Sequence, residues 1–245
     1  MIGSRDQRDA EGDDRSPGGE GGDSAKRLFA FSVVATLGAA TLAVADIVYA
    51  SRADGVYAAD WSFMKAVPEA RLLWGNYLGL AAMPAIVLGV WAIYRTLASV
   101  GSRWALPLLL SGVGTATIGG AQHMTAMYVG AIHRFADEMP EASAQAARAF
   151  VSQQWQIMFN AVGLLMLVLG VCFIGAALSK KTPYPKWALA CAPPVASLVF
   201  VMLSKVPVVG AYLYPACGTL GLTVMFAAAS VVLSKQARPK PPGRA

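Results

Sequence analysis

Six apolar stretches govern how this chain can fold. They run over about Leu28–Ala50, Leu72–Leu97, Trp104–Ile132, Phe150–Leu178, Trp187–Ser204 and Tyr212–Leu233. Each is long enough to cross roughly 30 Å of hydrocarbon as a helix. In lipid every backbone N–H and C=O needs a partner, which leaves only helices and closed barrels as spanning structures. Barrel strands read as alternating segments of about ten residues, whereas these runs are continuous and rich in Leu, Ala, Val and Gly. The expected fold class is therefore all-α: a polytopic six-helix transmembrane bundle. Charged residues make up only 14% of the chain, against about 25% in soluble domains, so the lipid bilayer is its expected surrounding.

The net charge of +6 is sorted by side. Of the 20 Lys and Arg, 14 fall before the first stretch, at Arg95 and Arg103, at Lys180, Lys181 and Lys186, or in the C-terminal tail. The other six are Arg52, Lys65, Arg71, Arg134, Arg148 and Lys205. The positive-inside rule then places both termini in the cytoplasm of a multi-pass protein of the cell membrane. The basic residues form no docking face, so no nucleic-acid partner is expected.

Residues 1–26 hold no apolar run and read as a disordered cytoplasmic tail without a cleavable signal. Residues 27–234 form the transmembrane domain, and the Pro-rich residues 235–245 form a second flexible tail. Between the first two stretches, Asp60–Val67 reads as a short interfacial helix. Pro140–Arg148 reads as the exposed first turns of the fourth, since Pro suits a first turn and Glu141 complements the helix dipole. Pro84 and the Pro193-Pro194 pair interrupt their stretches. Two helix pairs also read as a repeat: Gly38–Asp46 aligns with Gly114–Gln122, and Trp74 with Trp155.

Chemistry-bearing residues are few. Cys172, Cys191 and Cys217 match no metal spacing and read as small apolar residues. His123 and His133 are the only histidines; ten residues of helix set them about 15 Å apart, too far to share one ion. No metal site and no cofactor is expected, and no nucleophile elbow, phosphate loop or zinc helix motif is present.

Depth supplies the best constellation. Asp46 lies 19 residues from Arg27, Asn76 19 from Arg95, His123 20 from Arg103 and Asn160 20 from Lys180. At 1.5 Å per residue all four stand about 28–30 Å from the basic ring. Gln122 adjoins His123, and Gln156 lies one turn from Asn160. That height is also the thickness of hydrocarbon, so the layer reads either as the membrane boundary or as an outward-facing pocket. For the pocket, the candidate ligand-binding residues are Asp46, Asn76, Gln122, His123, Gln156 and Asn160. Apolar residues follow Asp46 and His123, which favours the pocket.

Three function classes follow. One is small-ligand binding or transport through the polar pocket. A second is a membrane-embedded enzyme using His123 and Asp46 in acid–base chemistry. The third is a structural or assembly subunit in which the polar groups lock helices together. The oligomeric state is not legible.

Arg71-Leu-Leu-Trp-Gly-Asn-Tyr-Leu-Gly79, Leu88–Arg95 and Thr182-Pro-Tyr-Pro-Lys-Trp187 resemble segments of an uncharacterised family of multi-pass bacterial membrane proteins. The resemblance covers most of residues 28–233. It implies a membrane protein of about six spans and brings no activity with it.

Overall fold

Small residues set how closely the helices approach. A Cβ at Gly38 would collide with Ala85, one at Gly89 with Ala35, and one at Gly112 with Val90. Lipid tails are as apolar as the side chains they would replace, so such close backbone packing supplies much of the association between membrane helices.

The computed structural model describes residues 19–52, 61–206 and 209–238. They form six α-helices: α1 (Gly19–Ala50), α2 (Glu69–Ala98), α3 (Ala105–Phe135), α4 (Glu141–Leu178), α5 (Pro193–Leu203) and α6 (Val209–Ala237). Short 3-10 segments cover Ser62–Ala66, Ala136–Glu138 and Lys186–Cys191. Among the described residues there is no strand. Four helices, α1, α2, α4 and α6, are long and apolar enough to cross a membrane. α3 is as long and carries Ser111, Thr115, Thr117, Gln122 and His123 along its length.

Neighbours follow the order α6, α1, α2, α3, α4, with α5 packed on α6. The turn from α2 to α3 passes through Gly101 at φ 65°, a left-handed conformation that glycine adopts without strain. α1 and α6 run antiparallel, since Thr36 faces Ser230 and Asp46 faces Thr219. Gly170 of α4 abuts Pro194, and Gly221 of α6 abuts Ser197. α5 therefore carries the chain from the middle of α4 back toward the start of α6. α4 and α6 barely touch, which leaves a gap in the wall. One apolar cluster fills the basic end around Ile93, Leu97, Leu108, Phe173 and Phe226. A second fills the other end around Phe63, Met64, Leu72, Val129 and Trp155.

Three expectations need correction. The fifth stretch, 187–204, is not one helix: it divides into the 3-10 segment Lys186–Cys191 and the 11-residue α5. Pro193-Pro194 does not bend a helix but begins one, because the N–H that proline lacks has no partner at a helix start in any case. α1 begins at Gly19, so residues 19–26 of the expected tail are helical, with Lys26 paired to Asp23 one turn away. Residues 1–18 lie outside the described residues. α6 likewise continues through 235–237 of the expected second tail, and the rest of that tail, from 239, lies outside them.

The short helix expected over Asp60–Val67 is the 3-10 segment Ser62–Ala66, with Asp60 outside the described residues. α4 does start at Glu141, behind Pro140. Pro84 lies inside α2, and Pro215 inside α6 is a further helix proline that sequence reading passed over. The paired tryptophans of the repeat occupy unlike surroundings: Trp155 is 0% exposed and Trp74 is 64% exposed.

Candidate functional site

Asp46 sits in the last turns of α1, where α6 and α3 both face it. It is 6% exposed. Its Oδ2 accepts a hydrogen bond of 2.8 Å from Thr219 Oγ1 of α6. Its Oδ1 lies 3.4 Å from His123 Nε2 of α3. Tyr49, one turn further along α1, directs its hydroxyl to the same carboxylate. A buried carboxylate is tolerated only with such partners, and here three helix positions outside Asp46 supply them.

His123 is held as firmly. It is equally buried, and its ring meets that of Tyr49 edge-on, with centroids 5.5 Å apart and planes at 88°. The imidazole lies on the bare backbone of α2, since a Cβ at Gly79 would collide with it. Nδ1 lies against Gly79 of α2 and has no hydrogen-bond partner. Glycine at 79 is thus a close-approach requirement: only without a side chain there does α3 bring His123 up to Asp46.

These groups form part of the wall of a cavity of about 700 Å³, within the usual range for small-molecule pockets. Asp46, Gln122, His123 and Gln156 line it. Asn76 and Asn160 do not. Asn76 is buried elsewhere on α2 with its Oδ1 unpartnered. Asn160 is exposed and accepts a 2.8 Å hydrogen bond from Gln156 Nε2. Tyr49, Thr115, Ser197 and Thr219 are polar lining residues that sequence reading missed. The remaining wall is mostly apolar, including Leu42, Ile86, Met166 and Leu222.

Above the polar cluster, at the end away from the basic ring, Trp61 forms a roof. Its backbone takes the left-handed region at φ 63°. Its ring lies 5.7 Å from that of Trp155 and 5.4 Å from that of Phe159. The segment behind it is tied down by Asp137, which pairs with Lys65 and, at 2.8 Å, with Arg148. The Lys65 hydrogen bond, helped by Arg148, holds the Asp137 carboxyl below its ordinary range.

Chemically, the pair positions more readily than it catalyses. A general base needs a nitrogen within hydrogen-bond reach of its substrate. Here one ring nitrogen faces Asp46 and the other the backbone of α2. No group of three or more His, Cys, Asp or Glu suited to a metal ion occurs among the described residues. The three cysteines are free thiols. His133 is buried ten residues further along α3, with Nε2 3.4 Å from Ser152 Oγ.

The family model for the family of unknown function DUF6796 matches residues 24–236. The chain belongs to this family. The match takes in α2 to α5 whole, α1 from residue 24 and α6 to residue 236, and with them every lining residue named above. No curated protein and no solved structure matches the chain.

Proposed function

We propose that this DUF6796 member is a six-pass protein of the cell membrane, both termini cytoplasmic, that binds or transports a small ligand through the cavity at Asp46, Gln122, His123 and Gln156. The fifth pass is composite, made of the 3-10 segment and α5. The observation that carries the reading is the Asp46–His123–Thr219 cluster. Three helices bring it together at the edge of a cavity large enough for a ligand. A cluster serving only to lock helices has no need of such a space beside it. The inward-turned imidazole nitrogens favour binding over the acid–base alternative.

Native mass spectrometry of the full chain, released from membranes in nanodiscs, tests the reading. The expected result is a small molecule retained by the wild type and lost from Asp46→Asn and His123→Ala, with helical circular dichroism unchanged. If both variants merely unfold at lower temperature and retain whatever the wild type carries, the cluster is structural.

A further inference from the structure

We propose that the cavity opens sideways to the bilayer, between α4 and the α5–α6 pair, and takes a single-chain amphiphile with an uncharged hydrogen-bonding head group. The inference rests on the ligand-binding reading above and names the ligand class and its route.

The opening is read from the gap that α4 and α6 leave between them. Phe159, Gly163 and Leu167 of α4 line the cavity beside that gap, and none of the three is covered by a neighbouring helix. A Cβ at Gly163 would meet nothing within 4 Å. Gly163 and Leu167 precede Lys180 by 17 and 13 residues, which sets them about 26 and 20 Å from the basic ring. Both heights fall inside roughly 30 Å of hydrocarbon. The end of the cavity nearer water carries the Trp61 roof, pinned through Lys65 and Asp137. What reaches the cavity through the gap comes from the acyl-chain region, and a molecule residing there has an apolar body. The apolar wall from Leu42 to Leu222 suits such a body.

Charge selects the head group. Asp46 already receives Thr219, Tyr49 and the His123 ring, so a cationic head finds its counter-charge engaged. Among the described residues no Lys or Arg lines the cavity, so a carboxylate or phosphate head would be buried there without a partner. Polar capacity remains in the amides of Gln122 and Gln156; Ser197 also lines the cavity, but its Oγ is packed against Gly221 of α6. An amide both donates and accepts, which matches an uncharged head of the same capacity, such as a glycerol or a primary alcohol.

The experiment uses the full chain in phosphatidylcholine nanodiscs and a monoacylglycerol whose acyl chain is brominated to quench tryptophan. Trp61 and Trp155, at the roof, report on the cavity. The expected result is quenching with a saturable component that 1-oleoylglycerol competes away and oleate or glycerol does not. Gly163→Phe, placed in open space, lowers the apparent affinity by at least about tenfold without lowering the unfolding temperature, whereas Gly163→Ser retains it. Linear quenching alone, equal competition by oleate, or an unaltered Gly163→Phe variant overturns the proposal. If the monoacylglycerol fails but a co-purified molecule is still lost from Asp46→Asn, the sideways route falls and the binding site stands. If neither is seen, both fall.

Discussion

At the residue scale, the site depends as much on an absent side chain as on those present. Gly79→Val drives a branched group into the His123 ring, and overpacking of this kind costs about 1–3 kcal/mol. Reversible unfolding of the variant in mixed micelles is expected to show that loss, while Gly163→Ala, at an open position, shows none. Thr219→Val removes one donor from Asp46. Polar contacts between membrane helices average about 0.6 kcal/mol and reach about 1.7, so its cost is expected to lie below that of Gly79→Val. The ordering separates steric positioning from hydrogen bonding: if Thr219→Val proves the costlier, the carboxylate's partners, not the fit of the imidazole, hold the site together.

At the element scale, the Ser62–Ala66 segment is held by ion pairs at an exposed place. The sign of its pH dependence follows from Asp137, whose folded carboxyl lies below its ordinary range. Its contribution is complete above the usual carboxylate range near 3.9 and is lost as pH falls from there toward the lower folded value. Protection factors of the amides at 61–67, taken against the intrinsic exchange rate at each pH, are expected to fall on acidification across that window, and Asp137→Asn to show low protection already at neutral pH. What the sequence disclosed about these elements was depth. Basic anchors and a fixed rise per residue put Asp46 and His123 at one level, and they do meet. Rotation about each helix was not disclosed, so Asn76 and Asn160, at the same level, fall outside the cavity. Thr219 gave no signal because threonines in apolar helices bond their own preceding turn, as Thr36, Thr115 and Thr223 do. Pro193-Pro194 announced a break, but whether a proline pair bends a helix or begins one depends on what precedes it, and here that is a 3-10 segment.

At the scale of the whole molecule, the six-pass reading makes opposite faces distinguishable. In intact cells, a membrane-impermeant maleimide is expected to label a cysteine at Glu138 and to spare one at Lys181; the reverse pattern would invert the molecule. On that reading the fifth crossing is composite, which adds a mechanical consequence. Helices such as α2 and α4 are continuous and meet a change in bilayer thickness by tilting. The chain between Lys186 and Leu203 has a joint at Ala192, where the backbone leaves helical geometry at ψ 138°, and that joint is where it is expected to bend. In single-cysteine variants carrying a polarity-sensitive dye, lengthening the lipid acyl chains is expected to shift emission at Cys191, beside the joint, and to leave Cys172, inside α4, nearly unchanged. That outcome would make one wall of the cavity a compliant panel set in a stiff frame.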